Sequence, residues 1–213
     1  MKNLIKRFLF IILLLGLSPI ICLSQQSLNL VNLTLNDTVQ LKELNIERIT
    51  DILGRPSVVE RPPDFLADML GPTIYYHDLG LKICFLHKSK DPQERVAVIF
   101  LYLVKKWDED RSKFYLPFSG VLTPKLNPNM KINNILPFFE DDSISVILAT
   151  ERKAQFKELQ RKGEMSKTHN SKFINSFFSE HIVTVNGDKY KINLYCEELT
   201  KYLEEITINF RDQ

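Results

Sequence analysis

The sequence predicts an α+β protein, mainly antiparallel sheet built of hairpins and meanders, with a few short helices on one face. Short runs rich in β-branched and aromatic residues recur along the chain, the longest from Val96 to Val104. Asp78-Leu79-Gly80 and Asn186-Gly187 separate such runs at hairpin spacing. Helical periodicity is confined to brief stretches that end at glycine or proline.

The chain opens with Lys2, Lys6 and Arg7, an apolar run from Phe8 to Leu17, and then Ser18-Pro19, Cys22 and Ser24. A charged segment, a hydrophobic segment and a small-residue zone, in that order, read as a secretory signal peptide over residues 1–24, cut after Ser24. Two other readings compete. A membrane anchor needs about 20 apolar residues, and this run is shorter and interrupted by Gly16, Ser18 and Pro19. A lipoprotein signal would place the lipid on Cys22, although Ile21 stands where a small residue belongs. The expected location is therefore periplasmic or secreted, with membrane contact only through a retained leader or a lipid on Cys22.

Removing the leader changes the charge. The whole chain has 28 Lys+Arg against 26 Asp+Glu, and the leader holds three basic and no acidic residues, which leaves 25 against 26. A near-neutral chain lacks the basic balance of a nucleic-acid binder, so that class is disfavoured. Cys84 and Cys196 then remain, either bridged in an oxidising compartment or packed as buried thiols. Residues 25–150 are expected to hold the α+β domain, 151–172 a charged helix and a polar loop, and 173–213 a three-stranded meander belonging to the same globular unit.

Leu28–Leu30 and Leu33–Leu35 alternate as half-buried strands do. Asn45 caps a helix carrying Ile46, Ile49, Ile52 and Leu53, stopped by Gly54 and Pro56. Pro62-Pro63-Asp64 predicts a second helix, with Phe65, Leu66, Met69 and Leu70 inward and Gly71-Pro72 as its end. Thr73–His77 and Leu81–His87 read as a hairpin, and 96–104 as a central strand. Residues 105–113 read as a charged loop bearing the single tryptophan, Trp107, followed by a strand over 114–122 broken at Pro117. After an irregular stretch punctuated by Pro124, Pro128 and Pro137, 142–149 predicts a strand and 151–162 a surface helix with a Glu158–Lys162 pair. Residues 163–172 read as a mobile loop. The chain closes with strands over 181–185, 189–196 and 203–210, the first two joined by Asn-Gly in a type I′ turn.

Leu81-Lys82-Ile83-Cys84-Phe85 echoes Tyr190-Lys191-Ile192-Asn193-Leu194, and Ile83 to Ile99 spans the same interval as Ile192 to Ile208. A duplicated meander and convergent hairpin grammar both account for this.

The order Leu33-Thr34-Leu35, Ile49-Thr50-Asp51-Ile52-Leu53-Gly54-Arg55-Pro56-Ser57, Tyr75-Tyr76-His77-Asp78-Leu79-Gly80-Leu81 and Phe118-Ser119-Gly120-Val121-Leu122 resembles a family of exported bacterial domains of unknown function. The likeness covers residues 28 to 140. The helix ending Leu53-Gly54-Arg55-Pro56 is also similar to the small outer-membrane assembly lipoproteins of the SmpA/OmlA type. Both resemblances imply an α+β envelope domain used for binding, and neither supplies a catalytic residue.

No residue set predicts catalysis, a cofactor or a metal. His77-Asp78 lies at a hairpin turn, where Asp beside Leu-Gly is ordinary turn chemistry. Cys84 and His87, three apart on a strand, point to opposite faces and do not chelate one ion. Asp108-Glu109-Asp110, Glu140-Asp141-Asp142 and Glu197-Glu198 lack the spacing of a calcium loop. There is no Gly-x-Ser-x-Gly elbow and no phosphate-cradling glycine motif. The expectation is a non-enzymatic binding or envelope-structural module that meets an unidentified protein or envelope partner through residues 105–116, with Trp107 and Tyr115 as anchors. A secreted hydrolase, whose carboxylates converge only in three dimensions, is the rival reading. An inhibitor or immunity-type partner shares the binding signature.

Overall fold

A computed structural model describes residues 26–67, 69–88, 91–108, 112–139, 143–162 and 180–211. The predicted leader with Cys22, and the predicted loop at 163–172, lie outside these residues. The α+β class and the dominance of antiparallel sheet are observed.

A small sheet holds β1 (Ser27–Asn29), β2 (Thr34–Leu35), β3 (Val39–Gln40) and β10 (Val121–Thr123), in the order β10-β1-β2-β3, and its β1–β10 pair is parallel. Between β3 and the large sheet lies α1 (Ile46–Leu53). The Asn45 side chain accepts the Arg48 N–H at 2.8 Å, and Gly54 closes the helix at φ +81°, a conformation that favours glycine.

The large sheet is antiparallel throughout. Its first half holds β4 (Val58–Glu60), β5 (Leu70–Tyr76), β6 (Leu81–Lys88) and β7 (Asp91–Tyr102). Its second half holds β11 (Ile144–Ile147), β12 (Glu180–Asn186), β13 (Tyr190–Glu197) and β14 (Leu203–Phe210). The strand order is β11-β12-β13-β14-β7-β6-β5-β4, so the two halves meet at β7 and β14. The C-terminal strands and the central strands thus share one sheet.

One row of β-branched residues crosses all eight strands: Ile144, Val185, Ile192, Ile208, Ile99, Ile83, Ile74 and Val59. The six inner members are buried. The two intervals noticed in the sequence are cross-strand pairs, Ile83 with Ile99 and Ile192 with Ile208, and the Ile99–Ile208 pair joins them. The halves are related by an approximate two-fold axis at that junction. Each half is also preceded by a helix. α1 contributes Ile49, and α2 (Ile132–Ile135) contributes Ile132 and Ile135, to the same core as the sheet isoleucines. β-branched side chains suit this position because their restricted χ1 fits the pleated surface.

Three expectations change. The helix predicted after Pro63 is a single 3₁₀ turn (Asp64–Leu66), and Phe65 is 80% exposed. Gly71 and Pro72 belong to β5, at a register shift between Leu70 and Thr73. A Cβ on Gly71 would come within 2.8 Å of Phe85 Cβ, so the glycine permits close strand approach and does not cap a helix. The charged loop at 105–113 contains β8 (Lys106–Asp108), which pairs with β9 (Lys113–Tyr115). At 186–187 the turn is not type I′, because neither Asn186 nor Gly187 has positive φ; Gly187 N–H instead donates to the Tyr190 carbonyl at 3.0 Å. The surface helix is observed as α3 (Ala149–Lys162), where Glu158 pairs more closely with Arg161 (2.7 Å) than with Lys162 (3.9 Å).

Truncating the central row is expected to be costly. Ile99→Ala or Ile208→Ala should destabilise by about 2–5 kcal/mol through lost burial and a residual cavity. Phe65→Ser should stay within about 0.5 kcal/mol. Urea unfolding followed by circular dichroism measures both, and equal losses would contradict the placement of the core.

Candidate functional site

The large sheet turns one face to the core. Alternation places Tyr75, Lys82, Phe100, Tyr102, Glu205 and Thr207 on the other. The β8–β9 hairpin lies against this second face. Lys106 and Asp108 face the sheet, where Lys106 pairs with Glu205 and Asp108 Oδ2 lies 3.2 Å from His77 Nε2. Tyr115, opposite Lys106 in register, is buried, whereas Lys106 itself is about half exposed. Trp107 and its cross-strand partner Phe114 face away, 47% and 44% exposed, with Leu116 exposed beside them.

A stack of rings holds the hairpin down. The His77 ring is fully buried and lies 4.6 Å from the Tyr115 ring on one side and 5.9 Å from Tyr75 on the other. Tyr115 also meets Tyr102 at 4.3 Å, and the Tyr75 hydroxyl donates to Glu60 at 2.6 Å. Backbone bonds reinforce the clasp: Leu116 N–H donates to the His77 carbonyl at 2.8 Å, and Phe118 N–H to the Tyr102 carbonyl at 2.7 Å. Gly80 takes a left-handed conformation (φ +66°), and any Cβ there would meet the Leu116 carbonyl at 2.3 Å. The turn read as Asp78-Leu79-Gly80 therefore also seats the hairpin's exit. Burial pushes the Tyr102 and Tyr115 phenols above their usual range, with the Asp108 charge adding to both. His77 Nδ1 is buried and has no hydrogen-bond partner among the described residues.

Trp107 and Tyr115, the two anchors expected from the sequence, are thus divided by the structure. Trp107 is outside, packed on Phe114 at 4.6 Å, while Lys105 lies 4.2 Å over the Phe114 ring. Tyr115 is inside and cannot touch a partner without opening the clasp. His77 pairs with Asp108, which the sequence places in a run of acidic loop residues, and not with its neighbour Asp78. No local signal marks a pair 31 residues apart.

Cys84 and Cys196 are both free thiols. Cys196 belongs to the core and Cys84 does not. Their strands, β13 and β6, are separated by β14 and β7, a distance of about 14 Å at the usual strand spacing, beyond the reach of a disulfide. Burial pushes the Cys196 thiol up to about 12, and the Cys84 thiol upward as well. The side chain of His87 lies outside the described residues. Among those described, no three His, Cys, Asp or Glu side chains are grouped to hold a metal ion.

A second polar group lies at the same end of the sheet. Glu180, Glu204 and Glu205 are within electrostatic reach of one another and of Lys106. Burial raises the Glu180 and Glu204 carboxyls above the usual carboxylate range, and Lys106 opposes the shift. On the core side, a cleft of about 1360 Å³ runs between Val31, Ile46 and Phe138, with Arg95, Lys42 and Asp188 among its charged lining residues. It gathers no polar constellation comparable to the clasp.

Comparison of the chain with protein-family models, with curated proteins and with solved structures yields no match in any of the three.

Asp108→Ala should release β8. Amide exchange in 106–115 should rise and the Trp107 emission should shift, with a stability loss of about 1–3 kcal/mol from the unpaired buried imidazole. An unchanged hairpin exchange rate would show that the ring stack alone holds it.

Cys196 gives a pH prediction. Its folded thiol stays protonated well above the unfolded value of about 8.5, so the unfolded state releases its proton first as pH rises. Stability from this group is fully present below about pH 8.5 and falls between there and 12. The urea midpoint should decline from pH 8 to 10, and Cys196→Ala should flatten that slope.

Proposed function

We propose that this chain is an exported, non-catalytic binding module whose contact surface is the outer side of the β8–β9 hairpin and the adjoining sheet face. The observation that carries this reading is the apolar strip on the hairpin's outer side, opposite the covered Asp108 and Tyr115. Exposed single apolar residues are common on protein surfaces, but a contiguous apolar patch needs a reason. Here Trp107, Phe114 and Leu116 form the patch, while Asp108 is turned inward onto His77 and Lys106, itself about half exposed, reaches Glu205. Aromatic side chains are favoured at the centres of interfaces, and a patch held rigid before binding loses little entropy on association. Lys105 and Lys113 flank it, which suits a partner with an apolar strip bordered by acidic groups.

The leader supplies the address, and the resemblance to exported and SmpA/OmlA-type envelope domains agrees with a binding role there. No helix among the described residues is long and apolar enough to cross a membrane. A second reading, a secreted hydrolase, draws on the grouping of Glu180, Glu204 and Glu205 and on the upward shift of the first two by burial, since perturbed carboxyls gathered in one place mark a candidate acid–base site.

Photo-crosslinking from position 114 in the producing cells should capture a defined envelope or secreted protein. Trp107→Ala should weaken that capture at least tenfold without moving the urea midpoint. Capture that is indifferent to Trp107 rejects the surface. Hydrolysis of a glycoside or ester panel that survives Trp107→Ala and is lost in Glu180→Gln would favour the second reading. The mass of the mature protein reports the address: a terminus at Gln25 means release, a lipid on Cys22 means anchoring, and an intact Met1 means a retained leader.

A further inference from the structure

The large sheet ends in two strands of opposite character. β4 lies between Arg55-Pro56 and Arg61-Pro62-Pro63 and ends in Glu60, so proline and charge guard that edge against another strand. β11 has no proline beside it, and its charged neighbours, Glu140-Asp141-Asp142, stand before the strand and not in it. From Ser143 to Leu148 the chain reads Ser-Ile-Ser-Val-Ile-Leu, with no proline, glycine or charge. Among the described residues its one strand neighbour is β12. Val146, opposite Val183, is 37% exposed, and Ile147, opposite Ile182, is 36% exposed, so the edge is open on both faces of the sheet. Leu148 beyond them is 39% exposed.

We propose that β11 is a self-association edge, where a second copy of this chain adds its own β11 antiparallel and continues the sheet across a two-fold axis. This rests on the edge alone and is independent of the hairpin surface. The pleat sets the register, since residues directly opposite must point to the same face. With the axis perpendicular to the sheet at Val146, Val146 meets its own copy, Ile144 meets Leu148 and Ser145 meets Ile147. Two of these pairs join apolar side chains on the core-facing side, and none brings like charges together. The same operation at β4, about Val59, would set Glu60 opposite Val58 and Pro62 opposite Pro56, where proline offers the ladder no N–H. An isologous contact of this kind closes at two copies. A single short ribbon is smaller than a standard interface, so the dimer is weak.

Sedimentation velocity of the full chain, processed as its host processes it, tests this from 5 to about 500 μM. A reversible monomer–dimer equilibrium is expected. Val146→Lys should weaken it at least tenfold, and Val59→Lys on the opposite edge should leave it unchanged. Ile147→Lys, on the other face, serves the same purpose if Val146→Lys fails to fold. Val146→Cys, oxidised with copper phenanthroline, should trap a disulfide-linked dimer that Val59→Cys does not form. A monomer across the whole range overturns the proposal. So does a dimer that both lysine variants leave intact, or open-ended growth beyond two copies.

Discussion

The pairing of β7 with β14 is the constraint on which the rest of this molecule depends. Ile99 and Ile208 are 109 positions apart in the chain, yet they face one another at the centre of the sheet. Neither half buries its isoleucine row alone, because each half's innermost strand would expose an edge and half of its apolar face. Joined, the two rows become one, and helices α1 and α2 cover it from the core side with Ile49, Ile132 and Ile135. This is the non-local kind of contact whose loop-closure cost must be met before burial returns anything. The local hairpins on either side reduce that cost, since once each meander forms, a single docking step aligns five cross-strand pairs from Glu205–Tyr102 to Asn209–Val98.

The same junction explains why the second face of the sheet carries charged groups under cover. Glu205 and Tyr102 are direct cross-strand partners at the seam. β8 follows immediately after β7, and its Lys106 reaches back across the seam to Glu205 while Tyr115 rests on Tyr102. The clasp therefore touches both halves. Polar contacts of this kind contribute little net stability, but removing one partner leaves the other's buried polar atom unsatisfied. The His77–Asp108 hydrogen bond and the half-exposed Lys106–Glu205 pair thus fix which side of the hairpin faces inward more than they stabilise the fold. That inward choice is what leaves Trp107 and Phe114 outside.

How much of this the sequence discloses depends on the range of the interaction responsible. The α1 boundaries are legible because Asn45 and Gly54 act on their own neighbours. The strands at 73–76, 81–88 and 203–210 are legible because alternation reports one buried face. Gly71-Pro72 misleads: the same dipeptide ends helices and breaks strand ladders, and only the nearness of Phe85 decides which. The hairpin at 106–115 is harder still. Its alternation is present but reversed, with charged Lys106 and Asp108 on the inner side, so polarity alone reads as a solvated loop. His77–Asp108 and Lys106–Glu205 have no local signature at all. Of the two anchors, Trp107 keeps its expected exposure, while Tyr115 is claimed by rings that the chain brings from residues 75, 77 and 102.

The approximate symmetry of the halves also shows where they have diverged. Both run as four successive antiparallel strands after a helix, but their first connections differ. β4 reaches β5 through a proline-led 3₁₀ turn, whereas β11 is followed directly by α3. His181 on β12 is buried, and its Nδ1 accepts the Ala149 N–H at 3.0 Å, which ties the start of α3 to the strand beside β11. Ala149 is buried at that joint, so the chain leaves the edge sharply at Leu148 and does not fold back over β11 there. In the first half, Tyr75 instead reaches outward to Glu60 and closes the β4 edge with a charged hydrogen bond. One seam and two unlike edges follow from a single strand order, and the chemistry available at each surface follows from which half supplies it.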